Sequence, residues 1–300
     1  MNVHILRTLA EGPKELMDLR RAVGSPPQST MRVYSRTLTE LGVLGQQRES
    51  EFAGSSLYTI TSSGHALLEV GEVLQRWLNE SPDGDIPLGS MAAKNTVGAL
   101  VEGWSTNIVR ALAAKPLSLT QLSRLIPKVS YPSLERRLGG LRLVNLVEPH
   151  PGEGRGTPYR ATEWLRRAVV PLATAVSWER KYLPDSTPAI GRLDVEAGFL
   201  LAIPLMAIPE DLTGRCRLGV EVQGGASPIL AGVLISVEDG RVVSCSSRLE
   251  GEVEGWASGT PMEWLHRMNG GANEGLEIGG DVGLVLTLTD ALRSAGRTNV

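Results

Sequence analysis

Apolar positions near the N-terminus recur at three- and four-residue steps, first Ile5, Leu6 and Leu9, then Leu16, Leu19 and Val23. That period predicts helices near residues 2–10 and 14–23. Gly24-Ser25-Pro26-Pro27 reads as a turn, and Ser25 with Gln28 has capping-box spacing for a third helix through Met31 and Leu38. This helix should stop at Gly42, because glycine takes the left-handed conformation past a helix end without steric cost. Two β-type runs follow, Val43–Arg48 and Ser56–Thr61, with Phe52-Ala53-Gly54-Ser55 between them as a hairpin connection. A long helix from about Gly64 to Leu78 completes the succession.

The succession is written twice. At a shift of 103 residues Ile5 falls on Ile108, Leu9 on Leu112, Leu19 on Leu122, Met31 on Leu134, Leu38 on Leu141 and Val43 on Leu146. Beyond this the shift becomes 101, with Tyr58 on Tyr159, Thr61 on Thr162 and Trp77 on Trp178. The missing two residues therefore fall between Leu146 and Tyr159, where a loop tip absorbs a length change. Asn145 takes the place of Gly42, and asparagine is the next residue to tolerate left-handed backbone. The closing helices, 64–78 and 163–181, end in Trp77 and Trp178 and should pack on each other within one chain or across a dimer. Three helices followed by a hairpin form a winged helix-turn-helix.

The pattern changes after Pro184-Asp185-Ser186-Thr187-Pro188. Arg215–Gln223, Leu230–Val237 and Val242–Ser246 read as strands, with an Asp239-Gly240 turn before the third. Helices are expected at about 260–269 and 281–294. The predicted fold is multidomain: two mainly α winged helix-turn-helix domains at 1–80 and 95–184, joined by a linker at 81–94, then a small α+β domain at 186–300.

Composition changes this picture in one respect. The net charge of −3 is weakly unfavourable for a nucleic-acid partner, but it is unevenly spread. Residues 95–184 hold 13 Lys and Arg against 6 Asp and Glu, whereas 185–300 hold 8 against 16. A basic middle beside an acidic end points to a polyanion for the middle alone, although a solvated charged face has the same composition. Two cysteines, Cys216 and Cys245, exclude a disulfide framework, and the four histidines have no zinc-ligand spacing. With neither a signal pattern nor an apolar run near 20 residues, a cytoplasmic protein without membrane contact is expected.

In a helix-turn-helix the start of the third helix reaches base edges in the major groove. The candidates are Gln28, Ser29, Thr30, Arg32 and Arg36 in the first unit, and Tyr131, Ser133, Arg136 and Arg137 in the second. Gln suits adenine and Arg suits guanine. Capping for Gln28 and Ser25, and simple solvation for Arg32 and Arg36, remain open readings. Tyr131 equally suits a DNA contact or an aromatic staple, and Ser130 should cap its helix. The wing tip Gly152-Glu153-Gly154-Arg155-Gly156 places Arg155 between glycines for a narrow minor groove. Arg48 in the first wing is opposed by Glu49 and Glu51, so most phosphate affinity is expected from the second unit.

Both units resemble the HxlR-type branch of MarR-like bacterial transcription regulators. The resemblance rests on Tyr58-Thr59-Ile60-Thr61-Ser62-Ser63-Gly64 with Leu67, Val70, Leu74 and Trp77. In the second unit it rests on Trp104, Leu112, Leu122, Asn145-Leu146-Val147-Glu148, Tyr159, Thr162, Pro171-Leu172 and Trp178. It implies double-stranded DNA as partner and a homodimer. Some members of the family sense oxidants through cysteine, and neither winged unit here has one.

The last segment is similar to the sterol carrier protein type two fold in Gly214-Arg215-Cys216, Glu238-Asp239-Gly240-Arg241, Trp256 through Trp264, and Gly279-Gly280-Asp281. That resemblance implies an apolar pocket for a small effector, with Phe199, Leu201, Ile203, Met206, Trp256, Met262 and Trp264 as candidate lining; for the tryptophans and Met262 plain core is the competing reading. No catalytic set, phosphate loop or cofactor motif accompanies these residues, so no cofactor and no enzyme activity are expected. The expected function is a DNA-binding transcription regulator with a ligand-sensing C-terminal domain. The alternative is a winged-helix interaction or assembly factor without sequence-specific DNA binding.

Overall fold

The computed structural model describes residues 2–48, 56–101, 105–151, 156–183, 192–222 and 229–295. By internal contacts the chain forms two compact units: Met1–Asn79, Gly84–Ala93 and Thr174–Thr187 in one, and Glu80–Asp83, Lys94–Ala173 and Pro188–Val300 in the other.

The first unit contains α1 (Asn2–Ala10), β1 (Lys14–Glu15), α2 (Leu16–Ala22), α3 (Gln28–Glu40), β2 (Leu44–Arg48), β3 (Ser56–Ile60) and α4 (Ser62–Asn79). Its sheet has the order β1-β3-β2, all antiparallel. The apolar stripes meet as the sequence period requires: Ile5, Leu6, Leu9, Leu19, Met31, Leu38, Val43, Leu44 and Tyr58 form one core. Trp178 joins that core, and its Nε1–H donates to the Ser63 carbonyl at 2.9 Å. The late tryptophan thus meets the α4 helix within one chain. Gly42 is left-handed, with φ of +68°. Ser25 does not cap α3. Pro27 occupies the cap position without a side-chain bond, and Ser25 lies two residues earlier at φ +55°. Two successive prolines delay the helix past the reach of the serine hydroxyl.

The second unit begins within α5 (Met91–Val101) and continues with α6 (Ser105–Ala114), β4 (Leu117–Ser118), α7 (Leu119–Leu125) and α8 (Tyr131–Leu143). Then come β5 (Val147–Pro149), β6 (Pro158–Ala161), α9 (Glu163–Arg167) and α10 (Val169–Tyr182), the last shared between the units. The sheet order is β4-β6-β5, and Leu117 pairs with Tyr159 as Lys14 pairs with Tyr58. Two expectations are corrected. The segment 81–94 is not linker throughout, because α5 starts at Met91, with the Ser90 hydroxyl accepting from the Ala93 N–H at 3.1 Å. The single helix over 163–181 is broken after Arg167. Pro171 has no N–H to give to the Arg167 carbonyl, so a new helix starts with proline in its first turn, where a missing donor costs nothing.

One side-chain device is common to both sets of elements. The Thr61 hydroxyl donates to the Gly42 and Val43 carbonyls, at 2.7 and 2.9 Å, and accepts from the Gly64 N–H. The Thr162 hydroxyl does the same at Asn145 and Leu146, at 2.9 and 3.0 Å, and accepts from the Leu165 N–H. Asn145 is left-handed at φ +55°, as Gly42 is.

The remainder of this unit is α11 (Arg192–Ala202), a 3-10 turn at Ile203–Leu205, β7 (Gly214–Val222), β8 (Ile229–Glu238), β9 (Arg241–Ser246), β10 (Gly255–Gly259), α12 (Pro261–Met268), β11 (Glu277–Gly280) and α13 (Val282–Ala295). The sheet order is β11-β10-β7-β8-β9, antiparallel except between β10 and β7. Asp239 and Gly240 both have positive φ and close the β8–β9 hairpin, as an Asp-Gly pair predicts. Phe199 meets Trp264 edge to face at 4.8 Å, and Trp264 Nε1–H donates to the Gly219 carbonyl at 2.7 Å. The buried Arg267 donates to the Thr289 and Gly271 carbonyls, at 3.0 and 2.8 Å, and pairs with Asp290. Burial pushes the thiols of Cys216 and Cys245 up to about 12.

Two outcomes follow from this packing. Thr61→Val and Thr162→Val should each lower unfolding stability by about 1–3 kcal/mol, because each leaves one carbonyl, Gly42 or Asn145, and one N–H, Gly64 or Leu165, without its partner at a helix junction. Serine at either position should restore most of the loss in urea titrations, and valine variants as stable as the parent would refute the role. At pH 8 a thiol of pKa about 12 is ionised to roughly one part in ten thousand. The buried Cys216 and the half-buried Cys245 should therefore resist iodoacetamide until the chain is denatured; rapid labelling of the native protein would contradict the raised thiol pKa values.

Candidate nucleic-acid interface

Met31, Ser35 and Leu38 turn one side of α3 into the core, at the i, i+4, i+7 spacing of a buried stripe. The opposite side is left to solvent. Gln28, Ser29, Arg32 and Arg36 are exposed and Thr30 is half-buried. Arg36 Nε lies 3.7 Å from Glu40 Oε1, an exposed pair too loose to hold the guanidinium away from another anion. Val33 shares this side at 52 % exposure, an apolar residue outside the core stripe that the sequence pattern did not single out. The loop before α3 is fixed by Arg20, whose Nε–H donates to the Pro26 carbonyl at 2.6 Å. At the α-helical step Gln28, Ser29, Arg32 and Arg36 therefore share one side of the first half of α3, whereas the half-buried Thr30 points away from them.

The equivalent helix of the second set is placed differently. Leu134, Leu138 and Leu141 are buried as expected, and Tyr131 is 47 % exposed at the first helical position. Ser130 is at the cap, but its hydroxyl makes no bond to the helix N–H groups. Pro132 in the first turn removes one N–H there. Ser133 is half-buried, Arg136 exposed and Arg137 half-buried. Arg136 and Arg137 line a cleft of about 580 Å³ whose other wall is α5, with Lys94, Asn95 and Gly98. Lys94 and Asn95 were invisible as partners of α8 in the sequence, since 42 residues separate Lys94 from Arg136.

Charge in the second set is less available than its composition suggests. Arg160 Nε lies 2.7 Å from Glu148, Arg167 bridges Glu163 and Glu80, and Arg110 meets the buried Glu196 at 2.9 Å. The guanidinium of Arg142 stacks over Tyr159 at 5.2 Å from the ring centre. Arg48 ends β2 opposite Ser56. Arg155 lies outside the described residues.

The residues expected to line an apolar pocket do not converge. Phe199, Leu201, Ile203 and Trp264 are core: the apolar second half of α11 packs against α6, α9, β7 and β8, Ile203 continues it into the 3-10 turn, and Trp264 meets Phe199 from the buried side of α12. Trp256 stands on the open face of the sheet above Gly279, and Met262 is exposed on α12. Met206 is half-buried and lines a cleft of about 1080 Å³ together with Arg166 and Leu205. Among the described residues no helix is long and apolar enough to cross a membrane.

No curated protein matches the chain. Residues 2–84 match the HxlR-like helix-turn-helix family, a stretch that contains α1 to α4 and the first sheet. That match falls on the set of elements whose α3 presents an uncovered polar edge, and it supports a DNA-binding transcription regulator.

Proposed function

We propose that this chain is a transcription regulator that holds duplex DNA with two winged-helix units and carries a C-terminal α+β part that responds to a small molecule. The observation that carries the reading is the coincidence of the HxlR-like match at 2–84 with the exposed Gln28–Arg36 edge of α3. Direct readout requires hydrogen-bonding side chains at the start of such a helix, and Gln28, Arg32 and Arg36 are suited to base edges. The second unit is supported by the Thr162 tie, the left-handed Asn145 and the sheet order shared with the first. Its phosphate contacts are assigned to Arg136, Arg137 and Arg155, with Lys94 on the facing wall adding charge. The C-terminal part, at net −8 from residue 185 onward, suits regulation better than contact with a polyanion. A homodimer with four winged units is the assembly favoured by the family resemblance.

One observation favours the alternative of an assembly factor. Leu143, on the α8 side that faces α5, is 85 % exposed, an apolar contact point of a kind that a protein partner would cover.

Fluorescence anisotropy of a labelled duplex over a salt series separates the two readings. Arg32→Ala, Arg36→Ala, Arg136→Ala and Arg155→Ala should each weaken binding. Loss of a phosphate contact should also flatten the slope of log K against log salt by about 1. Arg48→Ala should matter less than Arg155→Ala, and saturation should occur at two chains per duplex. Equal losses from Arg48 and Arg155 would end the proposed asymmetry, and absence of binding at low salt would leave the assembly reading.

A further inference from the structure

The cleft of about 1080 Å³ in the second unit has two chemically distinct walls. One is apolar, built from Pro204, Leu205, Met206 and Ala295. The other comes from β5, β6 and α9 and presents Glu148, Glu163, Arg160, Arg166 and Arg167. Four of these five charges are already matched: Arg160 with Glu148 at 2.7 Å, and Arg167 with Glu163 at 2.5 Å. Arg167 also reaches Glu80 at 3.1 Å.

Arg166 is the exception. Its Nη1 donates to the Leu200 carbonyl at 2.9 Å and, with Nη2, to the Ala113 carbonyl at 3.3 Å. Those are neutral acceptors, and among the described residues no carboxylate lies within ion-pair distance of Arg166. Burial lowers its pKa, the nearby Cys245 thiol opposing this and Arg160 adding to it, the direction expected of a desolvated cation with no carboxylate partner. The geometry of the three bonds is informative. A guanidinium has five N–H groups in a rigid plane. The Ala113 carbonyl occupies the end of the fork and the Leu200 carbonyl takes the remaining Nη1 proton. That leaves Nε–H and the second Nη2–H, which point the same way and form the edge that a carboxylate grips with two oxygens. A half-buried cation with its bidentate edge open, on the wall of a cleft whose opposite side is apolar, is matched by one class of ligand.

The geometry points to this cleft as the site of a small amphipathic monocarboxylate, its two oxygens on the Nε–Nη2 edge of Arg166 and its apolar body against Leu205 and Met206. The volume is at the upper end of what small-molecule pockets provide. Arg166 and Met206 lie 40 residues apart, on α9 and just after the 3-10 turn, so the ligand would bridge the helix that follows the second hairpin and the segment that leads into the C-terminal sheet. This rests on the proposed reading that the chain responds to a small molecule, and it replaces a purely apolar effector with an acid.

Isothermal titration calorimetry of the full chain tests it, with octanoate as the probe and octanol and octylamine as neutral and cationic controls. Octanoate should bind at least about tenfold more tightly than octanol, since a charge-assisted hydrogen-bond pair is at stake, and octylamine should not bind. Arg166→Met should remove the preference for the acid. Because Arg166 also tethers two carbonyls, its melting curve is compared with the parent. Met206→Glu, on the opposite wall, gives the independent arm and should abolish octanoate binding by repulsion. Equal binding of octanoate and octanol, no octanoate binding at millimolar concentration, or an unchanged affinity in Met206→Glu would each overturn the site. Duplex affinity measured with and without octanoate separates the two ideas. Octanoate that binds through Arg166 without altering DNA affinity sustains the site and removes the sensing role. A DNA response to octanoate that survives in both variants removes the site and sustains the sensing.

Discussion

The turn between a helix end and a hairpin carries carbonyls that belong to neither helix nor strand ladder, and those acceptors need a donor if the junction is buried. Here a threonine hydroxyl supplies it, Thr61 to the Gly42 and Val43 carbonyls just past α3 and Thr162 to the Asn145 and Leu146 carbonyls just past α8. The same oxygen accepts the N–H of Gly64 or Leu165 and so starts the next helix. Backbone bonds reinforce it: the Thr61 N–H donates to Val43 and the Thr162 N–H to Leu146, both at 3.1 Å. The third helix, the base of the hairpin and the closing helix are thereby held at one point. The outward edge of α3 has a fixed bearing because of this tie, and a fixed bearing is what base reading demands.

With the same tie, the two sets of elements diverge through their surroundings. In the first, nothing described covers the Gln28–Arg36 edge. In the second, α5 stands opposite Arg136 and Arg137, and much of the basic surplus is spent on Glu148, Glu163, Glu80 and Glu196. Charge counted along a sequence overstates what a surface offers, since an ion pair at 2.7 Å presents little net field a Debye length away. The α11 helix introduces a second divergence: packed on α6, α9, β7 and β8, it makes the C-terminal sheet and the second winged set one compact body.

Most helices were legible because a stripe at 3.6-residue spacing has one physical meaning, burial of one side. Gly42 and Asn145 were legible as helix ends for the steric reason that few residues tolerate positive φ, and Asp239-Gly240 as a hairpin for the same reason. The parts that escaped share a weakness of signal. The strands β1 and β4 have two residues each, too few to show a period. In β10 and β11 glycine takes Gly255, Gly259, Gly279 and Gly280, so side-chain alternation is lost. The α5 helix is alanine-rich and weakly amphipathic, and α11 buries Glu196 among its apolar residues, which blurs its period. The α3 site residues could be named from position alone. The open edge of Arg166 could not, because it is defined by carbonyls at Ala113 and Leu200, 53 and 34 residues away.

Selection of bound duplexes from a random pool by the purified chain tests most directly whether the surface built around α3 reads DNA sequence. Enrichment of a defined sequence over successive rounds is expected, lost when Gln28, Arg32 and Arg36 are replaced together by alanine. Retention of no duplex at low salt, or enrichment unchanged by the triple replacement, would contradict it.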